Sequence, residues 1–182
     1  MERSKNPLEN LGKIKDTLSD LFLEDELVQK LIMPVPGDSQ LSLKENWANH
    51  CFDTAVPPAS AGENQAFLCL ETDAPLTAEA ALQVRITVNV YACGSMLHMS
   101  DAEKQEYAAV HGLSGNRIDM ALAAIHRAVT ADETLLRTFG TGRMQLAEEK
   151  PVTSLLQDER FYGKSLCYTI YQMPVRPKRQ VV

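Results

Sequence analysis

Apolar positions near the start of the chain recur with a helical period. Leu11, Ile14, Leu18, Leu21 and Phe22 follow spacings of three and four, which sets them on one face of a helix starting near Pro7. Proline suits that first turn, where its missing N–H has no partner to lose. Leu27, Val28, Leu31 and Ile32 continue the period on a rotated face. The acidic run Glu24-Asp25-Glu26 between them marks a break or a second helix start, because carboxylates favour a first turn. Pro34 and Pro36-Gly37 end the helical segment. From there to residue 64 no period is visible. Trp47, Leu41, Leu43 and Phe52 are scattered anchors, and Val56-Pro57-Pro58-Ala59-Ser60-Ala61-Gly62 reads as an exposed connection.

The pattern then changes to a period of two. Residues 66–72 read as a strand that ends at Asp73-Ala74-Pro75. Leu82, Val84, Ile86, Val88 and Val90 alternate with Gln83, Arg85, Thr87, Asn89 and Tyr91, the mark of a long strand with one buried face. The short connection between the two predicts antiparallel pairing. Residues 92–115 form a long crossing segment. Within it Ser100-Asp101-Ala102-Glu103 has the form of a capping box opening a short helix to about Val110, with Gly112 and Gly115 at its end. The segment reads equally as a functional loop or as a spacer.

A second helix opens at Asn116, with Ile118, Ala121, Leu122, Ile125 and Val129 as its apolar stripe. Phe139-Gly140-Thr141-Gly142 is a turn and residues 143–147 a short strand. Residues 151–163 read as a loop holding one helical turn. Residues 164–171 alternate again and form the last strand, with Leu166, Tyr168 and Ile170 on one face.

These elements predict an α+β fold: a small, mostly antiparallel sheet of about four strands flanked by helices, in the order α-β-β-α-β-β. One domain accounts for residues 1–182. Its parts are an N-terminal helical segment (1–33), an extended loop region (34–64), the sheet with its helix (65–172) and a basic C-terminal tail (173–182).

Composition changes this picture little. The chain of 182 residues is 45% hydrophobic and 23% charged, an ordinary globular mix long enough to bury a core without disulfides. Its formal net charge of −6 argues against a nucleic-acid reader, which needs a basic face to neutralise phosphate. The N-terminus lacks the apolar core of a signal peptide, and no apolar run approaches a membrane span. The expectation is a protein kept in a reducing cytosol. Cys51, Cys69, Cys93 and Cys167 form no C-x-x-C pair and read as reduced, buried or half-buried thiols.

Each candidate for chemistry has a structural reading that fits its context better. His50, His98, His111 and His126 share no metal-ligand spacing, and His126, beside the helix stripe, reads as a partly buried structural imidazole. Gly140-Thr141-Gly142-Arg143 lacks the Lys-Ser/Thr of a phosphate loop and precedes a strand. Glu148, Glu149, Asp158 and Glu159 are loop carboxylates that read as solvated charge rather than a glycosidase pair. Ser114 lies outside any nucleophile elbow. The expectation is therefore no enzyme, with no catalytic, cofactor or metal residues. The C-terminal run from Met173 to Val182 holds two prolines and three cations, and reads as a disordered end or as an arm docking on a neighbour. Arg176, Lys178 and Arg179, with Met96 and Met99 of the crossing segment, are the candidate subunit or partner contacts.

The second half resembles the small neck and tail-completion proteins of tailed phages and prophages, tail terminators in particular. The resemblance rests on the strand Val84 to Tyr91, on Gly115-Asn116-Arg117-Ile118-Asp119-Met120-Ala121 opening a helix, and on Phe139-Gly140-Thr141-Gly142-Arg143-Met144-Gln145-Leu146. It is completed by Phe161-Tyr162-Gly163-Lys164-Ser165-Leu166-Cys167-Tyr168 and covers residues 82–172. It implies a homo-oligomeric ring, commonly six-fold, that caps the tail tube and meets the head-side connector, located in the virion and assembled in the host cytoplasm. It further implies DNA passing through the ring, which an acidic lumen would not hold. The long 92–115 insertion and the 34–64 segment depart from the pattern. A head-completion or neck adaptor protein, a small-molecule-binding domain or enzyme, and a nucleic-acid factor using the basic tail are the competing readings.

Overall fold

The computed structural model describes residues 11–34, 40–62, 64–73, 83–131, 144–148, 150–157 and 160–171. Three helices come first: α1 (Leu11–Glu24), α2 (Glu26–Ile32) and α3 (Leu43–Ala48). The acidic run resolves into a helix restart. Asp25 caps α2 by accepting from the N–H groups of Leu27 and Val28, both at 2.9 Å, which satisfies two of the donors that every helix start exposes. Strands β1 (Cys51–Phe52), β2 (Ala66–Asp73) and β3 (Gln83–Cys93) follow, then helices α4 (Gly94–Leu97), α5 (Asp101–His111) and α6 (Arg117–Ala131). The order ends with β4 (Gln145–Leu146), β5 (Val152–Gln157) and β6 (Phe161–Tyr171).

The class is α+β, as predicted, but among the described residues the sheet has six strands rather than about four. Its path is β1-β2-β3-β6-β4, with β5 also on β6. Long antiparallel ladders join β2 to β3 and β3 to β6, while the two-residue β1 runs parallel to β2. Three expectations need correction. The 34–64 region is not loop throughout: it holds α3, opened by a capping box between Ser42 and Glu45, and β1. Residues 152–157 are a strand, not a loop with a helical turn. The adjacent Leu155-Leu156 breaks the alternation there, and Val152, Thr153 and Ser154 are exposed, so no one-sided apolar period exists to be read. The last strand starts at Phe161, because both β3 and β5 pair with it that far.

Alternation along the strands decides where the core lies. Val84, Ile86, Val88 and Val90 of β3, Leu166, Tyr168 and Ile170 of β6, and Ala66, Leu68 and Leu70 of β2 are all buried on one face. Ile14, Leu18 and Phe22 of α1, Val28, Leu31 and Ile32 of α2, and the predicted α6 stripe complete that core. Each of the valine, leucine, isoleucine and phenylalanine side chains contributes on the order of 1.5–3 kcal/mol relative to leaving it in water. The opposite face carries a smaller aromatic cluster of Phe67, Tyr91 and Phe161 with Cys69 and Cys93, on which Phe52 and Ala61 pack. Ala55 fastens the 53–62 connection there, its carbonyl accepting from Asn89 Nδ2 at 2.9 Å and from the Tyr91 hydroxyl at 3.1 Å. Gly163 sits opposite Tyr91 in the ladder, and a Cβ at that position would lie 2.6 Å from the Tyr91 ring. Only glycine fits there.

Candidate functional site

The polar residues that the fold draws together lie where α4, α5 and α6 meet the start of β6. Gly115 adopts φ +106°, a backbone conformation open to glycine, and turns the chain into α6. Asn116 and Asp119 then cap each other: the Asn116 Oδ1 accepts from the Asp119 N–H at 3.0 Å, and Asp119 Oδ2 accepts from the Asn116 N–H at 3.3 Å. Asp119 also receives the ammonium of Lys164 from β6, and that hydrogen bond holds Lys164 above the ordinary lysine range. The two sequence blocks that begin at Gly115 and Phe161, 45 residues apart at this contact, are thereby joined.

One residue inward, Arg117 is only 5% exposed. Its Nε donates to the carbonyl of Met96 at 2.9 Å, and its Nη2 reaches Glu103 Oε1 at 3.5 Å. Glu103 is at the same time the third residue of α5, in the predicted capping box. Its other oxygen accepts from both the N–H and the hydroxyl of Ser100 at 2.8 Å, and the Ser100 hydroxyl accepts from the Glu103 N–H. The Ser100 N–H first, then its hydroxyl, and to a smaller extent Arg117 hold this carboxyl below the usual glutamate range. One carboxylate thus caps the start of α5 and ties it to α6. At the far end of α5, Gly112 closes the helix at φ +63°, and Arg127 Nη1 donates to the carbonyl of His111 at 2.8 Å.

Among the sequence-predicted contacts, Met96 serves through its backbone carbonyl and is half-buried, whereas Met99 is 5% exposed within the core. A contact through Met99 would have to pull it out of that packing. Arg176, Lys178 and Arg179 lie outside the described residues. Reasoning from spacing missed the Arg117–Glu103 and Asp119–Lys164 contacts, since neither pair shares an element. What was readable was the helix start at Asn116 and the Ser100-x-x-Glu103 capping box, which place Asp119 and Glu103 in first turns but not beside their partners.

Burial pushes the Cys51 thiol up to about 11 and the Cys69 thiol to about 12, so neither is a thiolate near neutrality. All four cysteines are free. His50 donates from Nδ1 to the Ala66 carbonyl at 2.8 Å, and His126 Nδ1 meets the hydroxyl of buried Tyr168 at 3.2 Å, the structural role read for it from sequence. Burial also raises the Tyr168 phenol. Among the described residues no three His, Cys, Asp or Glu side chains cluster in a way that could hold a metal ion, and no helix is long and apolar enough to cross a membrane. No protein-family model and no curated protein matches the chain.

Proposed function

We propose that this chain is a structural subunit of a phage or phage-like tail: a ring-forming terminator that caps the tail tube and joins it to the head-side connector. The observation that carries the reading is the meeting of two of the resembling blocks. Residues 115–121 open α6, residues 161–168 form most of β6, and the Asp119–Lys164 contact fixes one on the other. Their contact, with a helix held against a strand of the sheet, supports the reading. A subunit of a cyclic ring also needs two different surfaces that meet head to tail, and an open sheet with unlike edges, β1 on one side and β4 with β5 on the other, supplies them. A head-completion or neck adaptor role is the second reading. It is favoured by α5, a helix outside the resembling pattern that adds outward surface.

Light-scattering mass and negative-stain images of the purified full chain test the proposal. Closed rings, and capping of tail-tube ends, support it. A strict monomer that binds one defined small molecule contradicts it.

A further inference from the structure

Among the described residues, strand β5 forms an edge of the sheet with a partner on one side only. The Cys167 N–H donates to the Pro151 carbonyl at 2.9 Å, and the register runs on through Thr153↔Ser165, Leu155↔Gly163 and Gln157↔Phe161. Hydrogen-bonded pairs alternate in an antiparallel ladder, so the N–H and C=O groups of Val152, Ser154 and Leu156 point away from β6. Among the described residues no strand pairs with that side. Exposed edges are usually blocked by charges, prolines or bulges. Here proline and a positive φ lie at one end, where Ala147 and Pro151 both bond to Cys167 and Lys150 sits at φ +49°, and charged residues flank the strand rather than occupying it. The six residues from Val152 to Gln157 carry no charge, and Val152 is 50% exposed.

We infer that this edge takes up a strand from a second copy of the chain, donated by the basic C-terminal segment Lys178-Arg179-Gln180-Val181-Val182. Charge favours that occupant. The stretch 148–160 holds four carboxylates (Glu148, Glu149, Asp158, Glu159) against two cations (Lys150, Arg160), while residues 172–182 hold three cations and no acidic side chain. The donated segment is free of proline and ends in two β-branched residues, as a strand requires. The residues before it, 172–177, include Pro174 and Pro177 and can extend to roughly 19 Å as a stiff spacer at about 3.1 Å per residue. Within one chain the segment would have to reverse at Tyr171 and run back roughly 17 Å to the near end of β5, at about 3.3 Å per strand residue, consuming that spacer. A neighbouring copy needs no reversal. The contact is head to tail, so it rests on the ring proposal for its recipient and would supply the subunit contact of that ring.

The test is association of the 182-residue chain, followed by sedimentation over a concentration series. Ser154→Pro removes an outward N–H and leaves the ladder to β6 intact. A triple variant, Arg176→Glu with Lys178→Glu and Arg179→Glu, repels the edge and alters no residue of the sheet, so it stands as the second reading if the proline disturbs β5. Each variant alone should weaken association at least tenfold with an unchanged circular dichroism spectrum. An equal mixture should regain a heterodimer and nothing larger, since it holds one intact edge and one intact tail. Association of both variants at wild-type strength would overturn the edge–tail contact and leave the ring proposal standing. A wild-type chain that never associates, with amides 178–182 protected from exchange, would place the tail on its own edge and overturn both.

Discussion

Helices α5 and α6 are neighbours in sequence and similar in length, yet they are held by different physics. Of the fifteen residues of α6, nine are buried, and its stripe packs over the central strands. Of the eleven residues of α5, none is buried. Its inward face is the stripe Glu103, Tyr107 and His111, four residues apart and only half-buried, and Val110 on its outer side is 67% exposed. A helix this short has marginal stability alone. It persists through a capping box, the Arg117–Glu103 tie, a glycine end and one arginine bond to its last carbonyl. Helix α6 is part of the core, whereas α5 is attached to it and is exposed over most of its length among the described residues.

Substitutions can break or sharpen that contrast. The largest effect is expected under α6. Ile86→Asp places an unpaired charge on the fully buried face of β3 and should lower stability by more than about 4 kcal/mol, unfolding both helices together in a denaturant titration. Unchanged thermal stability would show that this face is not core. Next comes Arg117→Ala, which strands Glu103 and frees the Met96 carbonyl. The loss should be about 2 kcal/mol, less than for a fully buried pair because Glu103 is 45% exposed, and it should appear as local release of α5 in hydrogen exchange while α6 stays protected. Ser100→Ala removes the cap and should cost about 1 kcal/mol, again confined to α5. The smallest effect is that of acid. Since the folded Glu103 carboxyl titrates below its ordinary value, its contribution is fully present above the unfolded pKa of about 4.3 and is lost as pH falls through the lowered value. Protection of α5 should therefore hold from pH 7 to 5 and decline only below about pH 4.

The same contrast explains what could be read in the sequence. Elements that bury one face announce it: the period of two in β3 and the stripe in α6 were legible because each residue type repeats where burial demands it. Capping chemistry was legible too, and Ser100-x-x-Glu103 located α5 without any apolar stripe. What stayed hidden were elements with neither signal. Strand β5 is exposed over Val152–Ser154 and draws its existence from pairing with β6. Likewise β1 is two residues long and follows from α3 and β2 beside it. The polar site was hidden for a related reason. Arg117 and Glu103 lie on separate helices, and Lys164 meets Asp119 across 45 residues, so only the folded chain brings the charges together.

Native-state hydrogen exchange, compared between α5 and α6 in the wild type and in Arg117→Ala, tests the division of labour most directly. The account predicts that α5 opens at a free energy well below that of global unfolding, that Arg117→Ala lowers it further, and that α6 continues to exchange only through global unfolding. Equal protection of the two helices, unmoved by the substitution, would contradict it.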